Sequence, residues 1–462
     1  MPVDSPLCLL VFLPVLLGLF ALSPRTWRES LLLCASLVFY SLTSFASLPL
    51  FLASMAGNML LGLAIERASG RGRMAFLTLG VSANLVLLAW SKYLGFMAAQ
   101  IPGLTVLKSL APEAMPLGVS FFTFSAVAYL VDIARGNASA ARNPVRFGLF
   151  LAFFPKVTAG PIARYTDMFG PSGASGRPGL NDLREGLARM ALGLAKKVLV
   201  AGAMAPMADA AFGERAGNLD MGTAWLGLLS YGLQLYFDFS GYTDMAVGLG
   251  RVFGYRLPEN FNYPYVSQSV REFWRRWHIT LSSWFRDYLY IPLGGGRVAP
   301  WKVQRNLLTV FALCGLWHGA SWNFVIWGLW HGVFLALERT ALGRVMDRLP
   351  RPARHVYALA AVGLGWVFFR AQDMAHAWEY FQALAGQGPG SFEYTWMVRA
   401  KREYLALLAL GVLGSAPVLP WLRERLGRMS DLAGLVIPPA LLALSIMQLA
   451  AGTHSPFIYA QF

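Results

Sequence analysis

The chain is 462 residues long, 56% hydrophobic and only 14% charged, against roughly 25% charged in an ordinary soluble domain. This balance excludes a disordered chain and argues against a soluble enzyme. Apolar runs that recur from end to end fit an all-α polytopic membrane protein, with residues 1–462 forming one helical membrane domain. The net charge of +15 comes from Lys and Arg in short loops between apolar runs. That is a positive-inside bias, with anionic lipid head groups or an anionic cofactor as a second partner, rather than a nucleic-acid footprint.

A span needs about 20 apolar residues. Pro6–Leu22, Leu31–Leu48, Leu50–Ile65, Met74–Met97 and Ala114–Val131 meet or approach this length. Asp4 precedes the first run and Arg25 and Arg28 follow it, so this run reads as a retained anchor with the N-terminus outside. The following loops alternate between basic (Arg67, Arg71, Arg73; Arg135, Arg142, Arg146) and weakly charged. Phe147–Pro161 is short and interrupted by Pro155, Lys156 and Gly160, which predicts a re-entrant or broken segment that lines a cavity or is buried in protein. Asp167–Pro178 reads as a loop, and a helix starts near Asn181, its expected cap. Gly222–Gly250 returns to the inside. Arg251 to Arg305 is the longest basic segment. Asn306–Ala320 and Trp322–Leu337 form a short hairpin within 306–338, and His355–Phe369, Tyr404–Trp421 and Leu432–Ala450 complete about 10–12 passes. The C-terminus then lies outside. Arg399, Lys401 and Arg402 fall outside on this count, which leaves a discrepancy of one pass.

Six histidines are present, and an ionisable group in apolar surroundings is a functional candidate. His318 lies in Gly315-Leu-Trp-His-Gly319, a pentapeptide repeated at 328–332 around His331. Each copy is also a G-x-x-x-G, so helix packing is the plain alternative. On one continuous helix His318 and His331 would face different ways, so both can line one tunnel only if the chain breaks between them. His278 lies in Arg271–Tyr288, where Phe273, Trp277, Leu281, Trp284 and Tyr288 recur at helical spacing. This predicts one interfacial amphipathic helix with aromatic anchors and a basic face. Asp238 and Asp244, in Tyr236–Asp244, suit acid/base work, a proton path or pairing with Lys or Arg, with helix-terminus hydrogen bonding as the alternative. Cys8, Cys34 and Cys314 give neither a disulfide framework nor metal spacing, and no metal is expected. There is no H-E-x-x-H, C-x-x-C, G-x-S-x-G or Walker A.

Arg271–Tyr290, Ile-Pro-Leu-Gly-Gly295 and Gly315–Trp322 resemble the membrane-bound O-acyltransferase (MBOAT) family. Pro116–Phe124, Phe153–Pro161, Tyr236–Asp244 and the ending Pro456–Phe462 are similar to its bacterial alginate O-acetyltransferase branch. Lys156 and Ala460 depart from that branch. The resemblance runs through the whole chain and implies a ring of tilted helices around a thin centre, with re-entrant segments and a central acyl tunnel. It places His318 as the catalytic histidine and His278 as its second histidine, with Asp238 and Asp244 in support. Acetyl-CoA, a co-substrate rather than a resident cofactor, or an acyl carrier would dock from the cytoplasm with its phosphates near Arg271, Arg275, Arg276 and Arg286. His318 would act as general base on a hydroxyl or briefly hold the acetyl group. The implied setting is the bacterial inner membrane, with lipid around the helices, a periplasmic transferase or SGNH-hydrolase-like partner and a polysaccharide acceptor such as alginate. A transporter or polysaccharide-export subunit is the rival class. Transfer of D-alanyl or another acyl group to a cell-wall polymer or lipid is the rival within the family.

Overall fold

The computed structural model describes residues 2–100, 109–112, 114–170, 178–213, 219–388 and 402–452. Glu113, Arg399, Lys401, Pro456–Phe462 and most of the loop expected at Asp167–Pro178 lie outside them. The described residues are helical, with no β-strand among them. In chain order the helices are α1 Cys8–Leu22, α2 Arg28–Ser44, α3 Leu48–Arg67, α4 Gly70–Gln100, α5 Val119–Ala134, α6 Pro144–Ala152, α7 Phe154–Val157, α8 Tyr165–Phe169, α9 Leu180–Gly213 and α10 Met221–Val252. Then come α11 Val270–Arg276, α12 Ile279–Phe285, α13 Pro300–His318, α14 Trp322–Leu337, α15 Ala341–Arg348, α16 Arg351–Arg370, α17 Met374–Leu384, α18 Arg402–Gly414, α19 Val418–Leu426 and α20 Arg428–Ala450.

Four helical stretches among the described residues are long and apolar enough to cross a membrane: Arg25–Arg67, Gly70–Gln100, Leu180–Gly213 and Met429–Ala450. A fifth follows if Tyr404–Gly414 and Val418–Leu426, bent by 78°, count as one. The expected total of passes therefore depends on shorter apolar helices, including α1, α5 and α14.

The chain packs as two compact units. The first comprises Met1–Met190 and Thr243–Pro258. Its core is aromatic: Tyr40 stacks on Phe51 at 4.4 Å, and Phe154 meets Phe12 and Phe39 at 5.3 and 5.6 Å. Asn58 of α3 and Asn84 of α4 exchange amide hydrogen bonds of 2.7 and 3.3 Å, a polar clasp suited to helices with no hydrophobic drive to associate in lipid. The interrupted run at Phe147–Pro161 does break, into α6 and α7. Asn143 caps α6 by accepting from the N–H of Val145 at 2.9 Å, and Pro144 fills the first turn. The Pro116–Phe124 motif is explained by close approach. Gly118 has φ +64°, and a Cβ there would lie 1.9 Å from the Val157 carbonyl oxygen.

The start of α9 corrects one expectation. The helix begins at Leu180 rather than after an Asn181 cap, because Asp182 reaches back and accepts from the Gly179 N–H at 3.0 Å, the reciprocal half of a capping box.

The second unit comprises Ala191–Tyr242 and Glu259–Phe462. Here α13 and α14 form the predicted hairpin. Gly315 and Gly328 meet at the crossing: a Cβ on Gly315 would lie 2.0 Å from the Phe324 carbonyl oxygen, and one on Gly328 2.1 Å from that of Phe311. α16 packs against α14. Trp330 donates to the Ala361 carbonyl at 2.8 Å, and Asn323 to that of Ala371 at 2.8 Å.

Candidate active site

The amphipathic helix expected over Arg271–Tyr288 is not continuous. It splits at Trp277–His278 into two seven-residue helices, α11 and α12. His278 stands at the break in the left-handed region, φ 44° and ψ 54°, a conformation rare for a non-glycine residue. The aromatic spacing is unbroken across this point, so periodicity alone could not show it. The break follows from Asn260, in the loop before α11. Its backbone carbonyl accepts from Ile279 N–H at 2.9 Å, and its side-chain oxygen accepts from Thr280 N–H at 3.1 Å. With His278 Nδ1 3.2 Å from the same side-chain oxygen, three successive residues, 278 to 280, are anchored to one asparagine.

α13 runs from Pro300 at its first turn to His318, and the extended Gly319 ends it. A side chain at Gly319 would meet the Phe324 ring at 2.1 Å, so the chain turns tightly into α14. His318 is 2% exposed. Its ring packs edge-on against Trp327 at 4.9 Å, Trp317 at 5.0 Å and Phe369 at 5.3 Å, and lies 6.5 Å from the ring of His278. The structure thus places the rings of His318 and His278, the two histidines singled out by the motifs, near each other. The carbonyl end of a helix carries partial negative charge, which favours positive charge developing on an imidazole there.

His331 lies on α14 one turn beyond Trp327. The chain does break between the two pentapeptides, and Trp327 contacts both histidines, at 4.9 Å for His318 and 5.1 Å for His331. His331 is enclosed by Phe273, Trp274, Trp327 and Trp366.

Three of the four predicted arginines share one cavity. Arg271, Arg275 and Arg286 line a space of about 350 Å³ together with Arg339, Tyr290, Trp274, Leu281, Phe311 and Cys314. Cys314 is one helical turn before His318, so this cavity reaches the helix that carries the histidine. Arg276 is elsewhere: it pairs with Glu272 at 2.9 Å and donates to the Asn262 carbonyl at 3.1 Å. Two residues of this cavity's frame were not singled out from the sequence. In the sequence Arg339 reads only as one charge of the basic loop after the hairpin, with no site role. Glu338, buried, accepts from Val270 N–H at 2.6 Å and Arg271 N–H at 3.0 Å, and so holds the start of α11 and its arginine in place.

The two aspartates are engaged in ion pairs inside α10 rather than in hydrogen bonds at a helix end. In the second unit Asp238 is paired with Lys197, both buried. Lys197 projects from a π-helical turn at Lys196–Ala201 within α9. In the first unit Asp244 pairs with Arg189 at 2.8 Å. Among the described residues no group of three or more His, Cys, Asp or Glu side chains is placed to hold a metal.

Residues 134–375 match the membrane-bound O-acyltransferase family. The chain is 38% identical to the probable alginate O-acetylase AlgI of Azotobacter vinelandii over 499 aligned positions, which cover 99% of both chains. It is 41% identical to the protein of the same name from Pseudomonas aeruginosa, covering 89% of this chain and 79% of that one. It is 37% identical to the peptidoglycan O-acetyltransferase of Helicobacter pylori, covering 83% of this chain and 79% of that one. Catalysis, not transport, is what these similarities share. By these similarities, with which its multi-pass apolar helical fold agrees, the chain belongs to the membrane-bound O-acyltransferase family.

Proposed function

We propose that this protein carries an acetyl group from a cytoplasmic donor, acetyl-CoA or an acyl carrier, across the bacterial inner membrane for O-acetylation of an extracellular polysaccharide. A periplasmic transferase would complete the delivery. The observation that supports this most is the arginine-lined cavity whose wall includes Cys314, one turn from His318. Guanidinium groups recognise phosphate oxygens bidentately, and the apolar wall of the same cavity, Leu281, Val310 and Phe311, suits a thioester arm. The relatives named alginate O-acetylase favour an exopolysaccharide acceptor, and the relative named for peptidoglycan keeps a cell-wall polymer as the alternative.

In this reading the donor's phosphates rest on Arg271, Arg275, Arg286 and Arg339, and its thioester reaches His318. The neutral imidazole takes the proton of an acceptor hydroxyl as the oxygen attacks the thioester carbonyl. The C–O bond forms, the C–S bond breaks, and the proton passes from the imidazolium to the departing thiolate. The closing of Trp317, Trp327 and Phe369 around the ring excludes water that would hydrolyse the donor. General base catalysis contributes on the order of 10²–10⁴-fold. Purified protein in nanodiscs, given acetyl-CoA and an acceptor polysaccharide with its periplasmic transferase, should release free thiol at a rate that falls by at least about 100-fold in His318→Ala. Release that is unchanged in the variant would overturn the assignment.

A further inference from the structure

We propose that Asn260 is a positioning residue that fixes His278 in the tautomer bearing its proton on Nδ1, so that the ring offers a bare Nε2 beside His318. The asparagine side chain has a defined orientation. Its side-chain oxygen lies 3.1 Å from the backbone nitrogen of Thr280, which is an obligatory donor, and 2.9 Å from the Thr280 hydroxyl. That atom is therefore the carbonyl oxygen, not the amide nitrogen, and it only accepts. His278 Nδ1 lies 3.2 Å from the same oxygen. Two acceptors do not bond to each other, so Nδ1 carries the hydrogen, and in a neutral ring Nε2 carries a lone pair.

That lone pair is not used by the fold. Nε2 of His278 is buried without a hydrogen-bond partner among the described residues, although burying a polar atom unpaired is costly. His278 is fully buried and adopts one of only two positive-φ conformations found at non-glycine residues among those described. An unsatisfied acceptor and a strained backbone at one residue are costs that folding alone does not require. Both are explained if the ring is held for chemistry. The catalytic part of this inference rests on the acyl-transfer reading, whereas the tautomer does not. A bare Nε2 accepts the hydrogen of a hydroxyl or of a neighbouring imidazole, and it cannot donate to a developing oxyanion. His278 thus serves the reaction from the proton-accepting side.

The groups against the ring are Phe239 of α10 at 4.8 Å, and Trp317 and His318 of α13 at 6.1 and 6.5 Å. Of these only His318 titrates, and Asp238 beside Phe239 is paired with Lys197. A carboxylate in place of the Asn260 amide would keep accepting from the same three donors and would favour the imidazolium. The neutral base would then be lost at higher pH as the solution is acidified. The expected displacement is about 1–3 pH units.

The test uses the full-length protein labelled with ¹⁵N-histidine, with the His278 signals identified by their loss in His278→Gln. Wild type should show a protonated Nδ1 and a bare Nε2. A proton on Nε2 overturns the proposal whatever the activity. Asn260→Ala should mix or invert the tautomers and lower kcat by about 10–100-fold with the KM for acetyl-CoA little changed. Asn260→Asp should restore the tautomer and most of the turnover, with the acidic limb of the rate profile moved upward. Should Asn260→Ala not fold, the wild-type tautomer and the Asp variant decide. An Ala variant as fast as wild type, or an Asp variant with an unmoved acidic limb, removes the positioning role and leaves the acyl-transfer reading standing.

Discussion

At His318 the proposed chemistry depends on where a helix stops. The ring is the last residue of α13, at the carbonyl end, and its neighbours are rings contributed by α14, α16 and the α11–α12 break. Its candidacy was legible because a histidine in an apolar run is conspicuous and the surrounding motif is long. Its partners were not. Nothing local marks Asn260 as the anchor of His278, since the two are brought together by a loop that folds back across 18 residues. The aspartates were legible as intramembrane charges, but their partners, Lys197 and Arg189, are set by how α9 packs on α10. For the buried pair this gives a definite expectation. Asp238→Ala alone should lower stability by about 3–5 kcal/mol by stranding the Lys197 charge, while the double variant Lys197→Met, Asp238→Leu should recover most of it. Thermal unfolding of wild type and the two variants checks this, and a double variant no better than the single one would contradict it.

Among the elements, the α13–α14 hairpin shows why the duplicated pentapeptide need not mean duplicated chemistry. The glycines of the two copies bring the helix backbones together, with Gly315 and Gly328 face to face. The packing and catalytic readings therefore coexist: the glycines make the crossing, and the crossing places His318. Gly315→Ala and Gly328→Ala should each destabilise the protein by about 1–3 kcal/mol through overpacking, and should lower kcat by displacing His318 even where folded protein is recovered. Normal turnover at normal stability would show that the close crossing is dispensable. The broken segment at α6–α7 was readable from Pro155 and Gly160. The break at His278 was not, because neither glycine nor proline marks it and the aromatic period continues across it. Tertiary hydrogen bonds from Asn260 override the local pattern there.

For the whole molecule, composition was enough for the class, an all-helical multi-pass membrane protein, because 56% hydrophobic and only 14% charged residues, in apolar runs that recur from end to end, fit helices facing lipid. Counting passes was harder. Several apolar helices are short, and only four helical stretches among the described residues, or five counting the bent pair, are long and apolar enough to cross a membrane. Charge placement made the cytoplasmic side legible as an expectation and pointed to three of the four cavity arginines. Neutralising Arg271, Arg275 or Arg339 should raise the KM for acetyl-CoA by about 10-fold each, as expected for loss of one charge-assisted contact. The penalty should shrink as salt screens the surface charges. Steady-state kinetics at low and high ionic strength would reveal a KM that ignores these arginines, which would place the donor elsewhere.

The reaction proposed is transfer of an acyl group through the membrane at His318. It is tested most directly in sealed inverted vesicles that contain the protein, its periplasmic transferase and acceptor polysaccharide, with acetyl-labelled acetyl-CoA added only outside. Label bound to polymer in the lumen is expected for wild type, with a loss of at least about 100-fold for His318→Ala. Lumenal label that forms equally well without the His318 imidazole would contradict it.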